Sequence, residues 1–159
     1  MTPAAQLIFM IGIAIALGLV IRCRFKRAQI AALLLAGQYA YQLLGFGDAE
    51  SVLVVYGGAA TIDTVTMFAI SRLRPCNLTA DIILLSLIGV VIHAIGFVAY
   101  WLYVRPVYYE LAIVALLCLQ QLRLLLVREN DEHEEHNSVW SLAIRRANSI
   151  WAALMGQAR

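Results

Sequence analysis

Residues 2–21, 28–47 and 82–104 contain no Asp, Glu, Lys or Arg. An uncharged, mostly apolar stretch of about 20 residues is what an α-helix needs to cross a hydrocarbon core. Three such stretches in a chain of 159 residues leave little room for anything but a membrane-embedded bundle. The composition agrees, at 62% hydrophobic and 14% charged, where a soluble domain carries about 25% charge. In lipid, each backbone N–H and C=O must be satisfied inside its own segment, so the predicted fold class is all-α.

Five membrane spans are predicted, at about 5–21, 28–46, 52–71, 82–104 and 107–127, which together make residues 1–128 a transmembrane bundle. An acidic linker at 129–137 and an amphipathic tail helix at 138–159 follow. The first span lacks a basic leader, and the basic residues after it come with no small-residue cleavage site, so it reads as a retained helix. No internal repeat is visible in the sequence.

Orientation follows from the basic residues. Arg22, Arg24, Lys26 and Arg27 separate spans one and two, Arg72 and Arg74 follow span three, and Arg123 and Arg128 close span five. Only Arg105 falls on the other side. The expected topology is an N-terminus outside and a C-terminus in the cytoplasm, in an inner or plasma membrane or a viral envelope. The seven tyrosines, with Trp101, fall in the outer half of this arrangement, where interfacial aromatic residues collect. Cys23, Cys76 and Cys118 form no CxxC pair and are expected to be free thiols. Asn77-Leu78-Thr79 matches a glycosylation sequon but lies on the cytoplasmic side.

Three polar residues interrupt the apolar spans at one depth: Gln38, Asp63 and His93. Asp63 shares a helical face with Tyr56, Ala59, Ala60 and Met67. His93 lies on a stripe with Ser86, Gly89, Gly96 and Tyr100, whose small members allow close helix approach. Gln42 shares a face with Gln38, and Cys118 shares one with Gln121. An ionisable group inside a membrane is a candidate for proton or ion transfer. It also serves as glue, since polar bonds between helices are common and worth about 0.6–2 kcal/mol. The pattern favours glue. Haem binding would call for a second intramembrane histidine.

In the linker, His133 and His136 stand among Glu129, Asp131, Glu132, Glu134 and Glu135. The spacing is not HExxH, and a solvated acidic segment fits it better than a metal site. In the tail, one helical face gathers Trp140, Ile144, Ala147, Trp151 and Leu154 with Ala143, Ile150 and Met155, opposite Ser141, Arg145, Asn148 and Ser149, and Asn137 or Ser138 can cap its start. Two tryptophans on an apolar face suit a helix in the membrane interface. Packing on a partner protein would bury the same stripe.

No P-loop, dinucleotide fingerprint or nucleophile–base pair is present, so no enzyme activity and no cofactor is expected. The expected function is a membrane anchor or membrane-remodelling protein that assembles with partners, including a viral or phage envelope or fusion component. Its partners are the lipid bilayer and other membrane or virion proteins, in an oligomer or hetero-complex, with no nucleic acid. A holin-like pore-former and a small proton-coupled transporter or channel subunit using Asp63 and His93 are the alternatives.

Overall fold

The computed structural model describes residues 3–45, 52–73, 75–102, 107–127 and 138–155. Among these the chain forms six helices: α1 (Pro3–Arg22), α2 (Lys26–Gly45), α3 (Val52–Ser71), α4 (Asn77–Trp101), α5 (Val107–Leu125) and α6 (Val139–Leu154). Four of them, α1, α3, α4 and α5, are long and apolar enough to cross a membrane. α2 is as long as α1 and α3, but Lys26, Arg27, Gln29, Gln38 and Gln42 lower its hydropathy.

Each apolar helix buries one stripe and leaves the rest open. In α1 the buried residues are Ala5, Phe9, Gly12, Ala16 and Leu19. In α3 they are Tyr56, Ala59, Asp63, Thr66 and Ile70. These alternating steps of three and four residues keep a single face turned to the neighbours. Ala60 and Met67, expected on the Asp63 face, are only partly buried, because the face turns through Thr66 and Ile70 instead. Only 28–39% of the residues across each of the four apolar helices are buried. Leu7, Met10, Ile11, Leu53, Phe68, Ile95 and Leu111 are among the large side chains left exposed. In water such a surface would be an aggregation liability; against lipid tails it is at no disadvantage.

The most extensive packing is between α1 and α2 and between α3 and α4, with α5 against α1, α2 and α4. Alanine accounts for the first pair. Ala28, Ala31, Ala32 and Ala36 of α2 are all buried and bring its backbone close to α1. Gly12 of α1 then admits the Tyr39 ring, which a β-carbon there would meet at 2.4 Å.

α4 starts earlier than the apolar pattern suggests because its first turn is capped. The Cys76 N–H donates to Thr79 Oγ1 at 3.0 Å, and the Thr79 hydroxyl donates to the Cys76 carbonyl at 2.8 Å. α6 begins at Ser138, whose Oγ accepts the Ser141 N–H at 3.2 Å. It packs on α4 through Val139, Leu142 and Ala143, its buried residues.

Tyrosine placement departs from the interfacial expectation. Tyr39, Tyr56 and Tyr109 are buried inside the bundle, while Tyr100, Tyr108 and Trp101 are exposed. Each of the three finds protein neighbours for its ring, so headgroup solvation does not decide where it sits.

Candidate functional site: a buried polar network

Gln38 of α2, Asp63 of α3 and His93 of α4 meet in the centre of the bundle. The Gln38 amide nitrogen donates to Asp63 Oδ1 at 2.7 Å, and Thr66 Oγ1 lies 3.4 Å from the same nitrogen. The other carboxyl oxygen, Asp63 Oδ2, is 3.2 Å from His93 Nε2. Across the ring, His93 Nδ1 lies 2.7 Å from the Tyr109 hydroxyl of α5. Gln42, one turn along α2 from Gln38, reaches that same hydroxyl with its side chain. The result is a chain of polar contacts across four helices, with Gln38, Gln42, Asp63 and His93 each no more than 4% exposed.

Two glycines of α4 make the room. A β-carbon at Gly89 would stand 2.0 Å from Asp63 Oδ2. One at Gly96 would come within 2.5 Å of the Tyr109 ring and 2.7 Å of the Tyr56 ring. Gly89 and Gly96 flank His93 by one helical turn on either side, so α4 presents a notch for the carboxylate, then the imidazole, then a notch for two aromatic rings. Tyr56 and Tyr109 fill the second notch edge to face, with centroids 4.7 Å apart.

The imidazole can hold its neighbours in two ways. With the proton on Nε2, it donates to the carboxylate and accepts from Tyr109. With the proton on Nδ1, it donates to the Tyr109 oxygen and accepts from a protonated Asp63. The same atoms thus support a proton on either side of the ring.

A second network ties α1, α2 and α5 together. The Tyr39 hydroxyl donates to Gln121 Oε1 at 3.1 Å, and Gln121 Nε2 donates to the Gly12 carbonyl at 3.2 Å. Cys118, expected to share the inward face with Gln121, is exposed.

A third cluster lies at the end of the bundle that carries α6. Arg123 Nε of α5 donates to Asp81 Oδ2 at 2.7 Å. Arg146 Nε of α6 lies 3.1 Å from Asp81 Oδ1, an ion pair whose N–H direction falls short of a hydrogen bond. Of the tail residues singled out in the sequence, Trp140, Ile144, Trp151 and Leu154 are between 42% and 76% exposed, and Ala147 is half-buried. They stand roughly 100° around the helix from the face that packs on α4.

Tyr109, Arg123, Arg146 and Asp81 were not expected in these roles. The periodicity of α5 would have put Tyr109 on the face of Ile113, Leu116 and Gln120, all buried. His133 and His136 lie outside the described residues. Among those described, no three His, Cys, Asp or Glu side chains are grouped to hold a metal ion. Comparison of the chain with family models, with curated proteins and with solved structures gives no match.

Proposed function

We propose that the protein is a non-enzymatic membrane anchor of five spans whose C-terminal helix lies along the cytoplasmic interface and engages the bilayer there. The observation that carries this reading is the seating of α6. Arg146 ties it to Asp81, which Arg123 holds in turn, while Trp140, Ile144, Trp151 and Leu154 stay open. Asp81 lies one turn into α4 and Arg123 in the last turn of α5, so α6 sits level with the helix ends. Indole rings at that level face the headgroup region, where they are favoured.

Counting α2 as a fifth span is supported by its place between α1, α3 and α5 and by the burial of Gln38 and Gln42, which turns its polar groups away from lipid. The basic residues support the N-outside, C-inside orientation. The exposed apolar surface and the open face of α6 also suit assembly with other membrane proteins. The holin-like reading ranks second, because Gln38, Asp63, His93 and Tyr109 fill the centre of the bundle with bonded side chains.

The test is tryptophan depth in vesicles. With Trp101→Phe removing the indole of α4, Trp140 and Trp151 remain as the two reporters. In reconstituted full-length protein their emission should be quenched most by lipids brominated near the headgroup. Emission unaffected by bromine at any depth would defeat the interfacial reading and leave a protein partner as the cover for this face.

A further inference from the structure

α2, α3, α4 and α5 close around a cavity lined on its polar side by Gln38, Tyr41, Gln42, Asp63 and His93. It has about 10 Å³ of room for a water-sized sphere, close to what a single water needs. The chemistry of its wall is one-sided. Gln38 has a fixed orientation, because its amide nitrogen is the only end that can bond a carboxylate, and it donates to Asp63 Oδ1. Its Oε1 is left buried with no protein partner. Gln42 has one end on Tyr109, and its Oε1 is likewise buried without a partner. The Tyr41 hydroxyl gives its proton to the Val54 carbonyl, so its oxygen can only accept. Both nitrogens of His93 are engaged, by Asp63 and Tyr109.

The lining therefore offers two unpartnered amide oxygens, a phenolic oxygen and the remaining lone pairs of a carboxylate. A neutral water brings two protons to such a wall. A small cation satisfies all the oxygens at once and balances the carboxylate. One carboxylate matches a single positive charge. Divalent ions fit poorly, since Ca²⁺ takes about six to eight oxygens and Mg²⁺ keeps most of its waters.

We infer that this cavity binds one small monovalent cation, of the size of sodium, through Gln38 Oε1, Gln42 Oε1 and the Asp63 carboxylate. His93 is the positioning residue. As a neutral ring it donates Nε2–H to Asp63 and holds the carboxylate in place. The titratable groups facing the cavity are Tyr41 of α2, Asp63 of α3, His93 of α4 and, behind the ring, Tyr109 of α5. This inference does not depend on the anchor reading, because it concerns the bundle interior and not α6.

The experiment uses full-length protein in mild detergent, melted in NaCl or in choline chloride at equal ionic strength, with radiolabelled sodium binding measured alongside. A sodium site raises the melting temperature by roughly 5 °C at about 100-fold excess over the dissociation constant. Labelled sodium binds one per chain. Asp63→Asn stays folded and loses the response. Should that variant fail to fold, Gln42→Met removes one oxygen and lowers sodium affinity by about a factor of ten. Equal melting in both salts and no bound sodium would show that the cavity holds only a neutral water, and the inference fails.

Discussion

Asp81 divides its carboxylate between two arginines: Arg123 of α5 takes Oδ2 at 2.7 Å and Arg146 of α6 approaches Oδ1 at 3.1 Å. The two contacts are unequal in more than length. Arg123 is 19% exposed and Arg146 43%, so water screens the second far more. Removing the carboxylate as Asp81→Asn should cost about 1.5–3 kcal/mol, nearly all of it through Arg123. Arg146→Gln alone should cost under about 1 kcal/mol, yet expose α6 to limited proteolysis, since that contact ties α6 to α4. A double-mutant cycle over Asp81, Arg123 and Arg146 in detergent measures both. Equal coupling to the two arginines would contradict this division.

Glycine substitutions should separate the notch from the surface. Gly89→Ala drives a methyl group into Asp63 Oδ2, and Asp63 is pinned from two other sides by Gln38 and His93. The expected loss is about 1–3 kcal/mol from overpacking, with the Asp63–His93 contact broken. Gly18→Ala and Gly37→Ala meet nothing within 4 Å and should be neutral or stabilising by up to about 1 kcal/mol through helix propensity. Thermal melting in detergent checks all three. A Gly89→Ala variant as stable as the parent would mean that the Asp63 side chain is free to move aside.

What the sequence could show follows physical lines. Depth along a helix is set by counting residues, which is why Gln38, Asp63 and His93 are legible in the sequence at one level. The stripe of Ser86, Gly89, His93 and Gly96 was legible for the same reason and is buried. Tyr109 was not, because a tyrosine near a span end has the same pattern whether it caps a histidine or faces headgroups. Asp81 was hidden by its place at a span boundary, where a charge needs no explanation. In α6 the widest apolar arc holds Trp140 and Trp151, while the residues that touch α4, Val139, Leu142 and Ala143, lie mostly beside that arc. A helix with two apolar faces does not reveal which one is already used.

Orientation can be tested with thiols, although the native ones serve poorly. Cys76 is fully buried, and Cys23 is half-buried with its pKa raised by that burial, so both should label slowly. Introduced cysteines at exposed positions are better reporters. In intact cells an impermeant maleimide should modify Tyr108→Cys at the start of α5 and leave Ser149→Cys on α6 untouched until the membrane is opened. The reverse pattern would invert the topology.

Asp63 itself distinguishes a structural pair from an ion site, and the two substitutions to compare are Asn and Leu. Asn can keep both contacts. Its oxygen accepts from Gln38 Nε2, and its amide donates to His93 Nε2 once the ring proton moves to Nδ1, where the Tyr109 oxygen lies 2.7 Å away. The imidazole's two tautomers make this exchange possible without moving a heavy atom. Asp63→Asn should therefore fold with a stability within about 1 kcal/mol of the parent. Leu offers neither donor nor acceptor. It strands the Gln38 amide and the His93 ring in a buried setting, at about 1–3 kcal/mol for each unpaired group. Asp63→Leu should melt well below both, and Asp63→Leu combined with His93→Leu should recover part of the loss, because replacing both partners by apolar groups removes the unpaired ring. Melting curves of the four proteins in one detergent decide the matter. An Asn variant as unstable as the Leu variant would show that the negative charge, and not the hydrogen-bonding pattern, holds these helices together.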